Sequence, residues 1–172
     1  MPNKWTFQIK PIAELLARYV GDGKGWIDPF AGENSPAEFT NDLNPNKPTQ
    51  YHLDALDFLK QLGGEYKGVL FDPPYTPRQV KECYDDIGLH MKQDDALLGY
   101  KRGQYKAEIA PLLMPGGISI SCGWNSVGMG KGLGFEIIEI LLVCHGSDHN
   151  DTIVTVERKL QSQWLLNGID KG

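Results

Sequence analysis

The sequence predicts a doubly wound α/β domain whose mostly parallel sheet closes on a C-terminal antiparallel hairpin. Three observations carry this expectation. Short apolar segments end in turns that hold an acid, at Trp26-Ile27-Asp28, Asn41-Asp42 and Leu70-Phe71-Asp72. Segments with helical spacing alternate with them. Two late strands, 135–143 and 151–158, are joined by a stretch too short for a crossover helix, so they should pair antiparallel.

In chain order, Ile12, Leu15, Leu16, Tyr19 and Val20 recur at helical spacing, and Pro11 suits a first helical turn. The glycine cluster 21–25 stops that helix. Trp26 to Asp28 is a short buried strand ending in Pro29-Phe30-Ala31-Gly32. Ser35, Pro36 and Glu38 have the N-cap, N1 and N3 pattern of a very short helix. Thr40 to Pro45 is another strand end, and 52–59 contains a third turn leading into a helix that Gly63-Gly64 terminates. The apolar run Gly68 to Phe71 follows and stops at Asp72-Pro73-Pro74-Tyr75. Two prolines cannot donate to a ladder, so this strand ends in a stiff elbow beyond the sheet's C-terminal edge, where ligands of open α/β sheets bind.

Residues 76–99 lack sustained periodicity and read as a long functional loop. Gln104 to Leu113 is helical, Met114-Pro115-Gly116-Gly117 ends it, and Ile118 to Ser121 alternates as a strand. Leu160 to Gly172 is a poorly specified tail.

A length of 172 residues suits one domain spanning 1–172, with its core at about 5–158. Hydrophobic content of 41% and charged content of 23% are those of an ordinary globular protein. No apolar run approaches the ~20 residues that span a bilayer, so no membrane partner is expected. Three cysteines without metal or disulfide spacing fit a reducing cytoplasm. The net charge of -5 excludes a globally basic nucleic-acid coat and leaves only a local patch.

With Asp28-Pro29-Phe30-Ala31-Gly32 and Asp72-Pro73-Pro74-Tyr75 in view, the chain resembles the S-adenosylmethionine-dependent amino-methyltransferases, specifically the adenine-N6/cytosine-N4 DNA methylases. The first motif is similar to their cofactor loop and the second matches their catalytic tetrapeptide. Lys10-Pro11, after Phe7 and Ile9, resembles the segment that helps hold the methionine end. The resemblance implies a Rossmann-like methyltransferase sheet, S-adenosylmethionine as cofactor, and Asp28, Phe30, Ala31, Gly32, Asp54 and Ala55 at the cofactor. Asp42, ten residues past Gly32 at the end of a presumed second strand, is placed to accept from ribose hydroxyls. Turn formation or helix capping is the alternative for Asp42 and Asp54. Two departures stand out. Glu33-Asn34 replaces the usual second glycine of the loop, and no segment is large enough for a separate target-recognition domain.

The resemblance assigns Asp72, Pro73, Pro74 and Tyr75 to catalysis, with Asp72 also at the cofactor. An exocyclic amino group is a poor nucleophile because its lone pair is delocalised into the ring. Asp72 and the Pro73 carbonyl can accept its two hydrogens and turn the lone pair toward the sulfonium methyl. Tyr75 would stack on the base. The base must be flipped out of a duplex or already unpaired. No metal is required, and Cys144, His145 and His149 read better as a polar turn than as ligands. Tyr100 to Lys106 mixes basic and aromatic residues and suits either phosphate contact or a solvated helix start. Trp124-Asn125 suits a base-pocket wall or aromatic packing.

DNA adenine N6 is the expected target. Cytosine N4, an RNA base or a protein glutamine are the alternatives. A cofactor-binding subunit that relies on a protein partner for target recognition is a reading of a different kind.

Overall fold

The computed structural model describes residues 5–90, 97–146 and 150–161. The expected tail after 161, the first four residues and His149 of the polar turn lie outside the described residues. A six-stranded sheet has the order β2-β1-β3-β4-β6-β5. Its strands are β1 (Trp26–Asp28), β2 (Phe39–Thr40), β3 (Tyr66–Phe71), β4 (Leu113–Gly123), β5 (Phe135–Val143) and β6 (Thr152–Lys159). β2, β1, β3 and β4 run parallel, while β6 is antiparallel to both β4 and β5. One row of paired residues crosses the sheet: Phe39, Ile27, Val69, Ser119, Glu157 and Ile137. The expected doubly wound sheet with its antiparallel hairpin is what the chain forms.

Alternation along the parallel strands divides the core between two faces. Trp26, Leu70, Ile120, Val154 and Val156 pack against Ile12, Leu15 and Leu16 of α1 (Lys10–Tyr19). Ile27, Val69 and Phe71 face the opposite layer, with Phe58 and Leu59 of α2 (Ala55–Gln61) and Ile109 of α4 (Leu98–Leu112). β1 is buried at all three positions because parallel neighbours flank it and helices cover it. Gly68 is required where it stands, since a Cβ there would meet the Trp26 ring at 2.6 Å.

Three local expectations are corrected. Residues 35–38 form no helix: Ser35 Oγ does accept the Ala37 N–H at 3.3 Å, but Glu38, the third helical position of the pattern, is used elsewhere. Ser35 Oγ donates to Asp28 Oδ2 at 2.6 Å, and Glu38 Oε2 accepts the Gly25 N–H at 2.7 Å. The supposed loop 76–99 contains α3 (Pro77–Asp85), opened by a Thr76–Gln79 capping box with Pro77 in the first turn. Val80 is its one buried residue, so the segment has no apolar period to read. Finally, α4 begins six residues before the expected Gln104, and β4 begins at Leu113. The 114–117 stretch is an irregularity inside β4, between the pairs Tyr66–Leu113 and Gly68–Ile118.

Candidate active site

The loops leaving β1, β2 and β3 meet at the C-terminal edge of the sheet. In the first, Asp28 is fully buried beneath its own loop. Its Oδ1 accepts the Phe30 N–H at 2.9 Å and its Oδ2 accepts from the Ser35 hydroxyl. Burial raises its pKa to about 7, the two hydrogen bonds opposing that rise. Gly32 sits at φ +58°, a conformation that favours glycine, and a Cβ added there would point into open space. Its N–H donates to Asp42 Oδ2 at 3.2 Å, while Asp42 Oδ1 accepts the Asn44 N–H at 2.8 Å. Burial also raises the Asp42 pKa.

Asn41 ties these loops together and was not foreseen in the sequence. Its side-chain amide donates to the carbonyls of Pro29 and Leu53 at 3.2 and 3.0 Å, and its Oδ1 accepts the Leu53 N–H at 3.0 Å. Its backbone exchanges bonds with Asp28 and Ala31. The only available signal was its place directly after a strand. An ion pair between Lys47 and Glu33, 2.7 Å long, joins the second loop to the first. Asp54 is the N-cap of α2 through its bond to Leu56 N–H at 2.9 Å, so the capping role of this acid is realised. Only one of its oxygens is needed for that.

At the third strand end, Asp72 is 3% exposed. The Tyr75 hydroxyl donates to its Oδ1 and the Thr6 hydroxyl donates to the same carboxylate. Burial raises the Asp72 pKa to about 6, against those bonds and the attraction of Arg102. The backbone amides of Tyr75 and Thr76 both donate to Gln79 Oε1, which fastens the elbow to the first turn of α3. Tyr75 lies between Trp124, 5.6 Å between ring centroids, and the Arg102 guanidinium, 5.4 Å from the ring centre.

A single cavity joins the three loops. Phe30, Ala31 and Gly32, then Asp42, Asp54 and Ala55, then Asp72, Pro73 and Pro74 all line it. Thr6 and Phe7 close one side, α3 adds Val80, Cys83 and Tyr84, and α4 adds Lys101, Arg102 and Tyr105. Lys10 is exposed at the start of α1 and is not on the cavity wall; Asp28 and Tyr75 are behind it. Trp124 is not on the cavity wall and packs against Tyr75. The wall is kept rigid by an aromatic trio, with Phe30 centred 5.2 Å from Tyr105 and 6.1 Å from Phe71. Among the described residues there is no cluster of three or more potential metal ligands, and no helix is long and apolar enough to cross a membrane.

No protein-family model matches the sequence, and no curated protein matches it significantly. Solved structures do match. The 1,6-didemethyltoxoflavin-N1-methyltransferase of Burkholderia thailandensis, with bound 1,6-didemethyltoxoflavin and S-adenosylhomocysteine, aligns at a TM-score of 0.59 and 15% identity. The alignment covers 92% of this chain and 82% of that one. The N-methyltransferase NodS of Bradyrhizobium japonicum in complex with S-adenosylhomocysteine aligns at 0.55 and 10% identity, over 91% and 89% of the two chains. TrmN of Thermus thermophilus aligns at 0.55 and 18% identity, over 87% of this chain and 48% of its own. The chain therefore has the Rossmann-like fold of the methyltransferases.

Proposed function

We propose that this chain transfers a methyl group from S-adenosylmethionine to an exocyclic amino group of a nucleic-acid base, with adenine N6 of DNA as the target. The observation that carries this reading is the single cavity lined by the 30–32 loop, Asp42, Asp54 and the Asp72-Pro73-Pro74 elbow. Two methyltransferases of the same fold were crystallised with S-adenosylhomocysteine, the product of that cofactor.

The residues present fit the cofactor. Gly32 leaves room where any side chain would intrude on the cavity. Each oxygen of Asp42 spends one lone pair on the backbone and keeps another for a ribose hydroxyl. Asp54 keeps an oxygen for an amino group, and Ala55, at the start of α2, leaves space beside it. When bound, S-adenosylmethionine supplies an electrophilic methyl on a sulfonium. Asp72 accepts one hydrogen of the acceptor amine and the Pro73 carbonyl accepts the other. That draws the nitrogen out of conjugation with the ring. Asp72 then receives the proton that the methylated nitrogen sheds. Its pKa of about 6 keeps it mostly ionised, and so able to accept, at neutral pH.

Tyr75 already donates to Asp72 in this conformation. The carboxylate keeps further lone pairs, one of which is available to the acceptor amine. The cavity wall also carries Lys47 and five carboxylates, so a phosphate-bearing acceptor would be met on the α4 side, where Lys101 and Arg102 stand together.

The test incubates the protein with methyl-labelled cofactor and separate DNA, RNA and protein acceptors, then digests labelled DNA to nucleosides. Label in N6-methyladenine is the expected result. Label only in RNA or protein moves the acceptor class, and absence of cofactor binding at millimolar concentration removes the reading altogether.

A further inference from the structure

Arg102 stands out because its guanidinium touches the elbow and because its burial is not fully compensated. It comes from α4, 28 residues along the chain from the carbonyl it binds. Its Nη2 donates to the Pro74 carbonyl at 3.3 Å. Its guanidinium covers the Tyr75 ring, whose hydroxyl donates to Asp72. Its Nε is buried without a hydrogen-bond partner. Leaving such a donor unsatisfied costs roughly 1–3 kcal/mol. A residue kept only to staple α4 to the elbow would do better as an apolar side chain of similar length.

The elbow needs an outside clamp for a physical reason. Pro73 and Pro74 have no N–H, so the chain beyond β3 cannot extend the sheet's ladder. Its shape then depends on side chains. Gln79 fixes the amides of Tyr75 and Thr76 from one side. Arg102 supplies a second hold, as a planar fork that bonds the Pro74 carbonyl and covers the Tyr75 ring at once.

We propose that Arg102 is a positioning residue of the transfer reaction: it holds Pro74 and Tyr75 so that the Asp72 carboxylate is aimed at the acceptor amine. This rests on the function proposed above. Lysine preserves the charge and removes the fork, whereas methionine preserves the length and removes both. The groups that surround Asp72 are the Tyr75 and Thr6 hydroxyls and Arg102, with buried Asp28 and Cys122 coupled to it electrostatically. Among the described residues, Arg102 is the cation that acts on Asp72. Its loss should therefore also move the Asp72 titration upward.

The experiment compares full-length wild type with Arg102→Met and Arg102→Lys. Transfer is measured as kcat and acceptor KM across pH, and the Asp72 carboxyl is titrated by carbon-13 NMR. Arg102→Met should lower kcat roughly 100-fold, the scale of a misplaced catalytic group, with a much smaller change in KM. Its acid limb and the Asp72 midpoint should both rise. Arg102→Lys should keep the wild-type midpoint and still lose kcat. A folded Arg102→Met with wild-type kcat and an unmoved Asp72 midpoint overturns the inference. If Arg102→Met does not fold, wild-type kcat in Arg102→Lys overturns it instead. A wild type that binds cofactor but labels no acceptor defeats the proposed function. The NMR titration then still decides whether Arg102 governs Asp72, an unmoved midpoint refuting the link.

Discussion

Asp28 gives the sharpest test of how burial shapes this site. The carboxylate is fully buried, and its pKa stands at about 7 against an ordinary 3.8. The folded protein thus retains a proton that the unfolded chain has already released. Its stabilising contribution is complete below about pH 4 and is lost as pH rises through about 7. Each pH unit inside that window is worth about 1.36 kcal/mol, so this group alone removes about 3 kcal/mol between pH 5 and pH 8. Asp28→Asn removes the titration while keeping the shape. The amide oxygen can still accept the Phe30 N–H, and its NH2 can donate to Ser35 Oγ, whose hydroxyl then serves as acceptor. Urea unfolding followed by tryptophan fluorescence at pH 5 and pH 8 measures the difference. Wild type should lose stability across this range more steeply than Asp28→Asn, by about 3 kcal/mol, and the variant should be the more stable protein at pH 8. Asp42 and Asp72 keep some slope in both proteins, since burial raises their pKa values too. A variant that is less stable at pH 8, with an unchanged pH slope, would refute the burial argument.

Asp72→Ala should lower transfer by about 100-fold or more while leaving cofactor affinity within a few fold, and wild-type kcat should fall on the acid side with a midpoint of about 6; stopped assays and isothermal titration check the two halves. Asn41→Ala should cost about 1–3 kcal/mol in urea unfolding, because it strands the part-buried Leu53 N–H and two carbonyls. Gly32→Ala should cost about 1–2 kcal/mol through its positive φ, and nothing through contact, since a Cβ there touches no protein atom. Its larger effect should be on cofactor affinity, so titration and unfolding of the same variant separate the two.

Much of the fold was legible because its signals are local. The α1 spacing, the strand-ending acids and the length of the turn between β5 and β6 each lie within a dozen residues. Those signals were enough for the sheet, its hairpin and the three loops that line the cavity. The helix α3 escaped notice because it buries only Val80 and draws its support from a capping box and from exposed ion pairs, Arg78 with Glu82 and Lys81 with Asp85. The Ser35-Pro36-Glu38 pattern misled for the converse reason. Ser35 makes its local bond to the Ala37 N–H, but Glu38 turns to the distant Gly25 N–H instead of back to the cap.

The sequence by itself determined that acids and prolines stand at successive strand ends. Only the tertiary structure decided what each of those side chains does there. Asp28 turns beneath its loop, Asn41 binds two other loops, and Tyr75 folds back on Asp72 under Arg102. The reason is one of range. A strand end is specified by its own residues, whereas a buried polar group takes whichever partner the packed chain brings within about 3 Å.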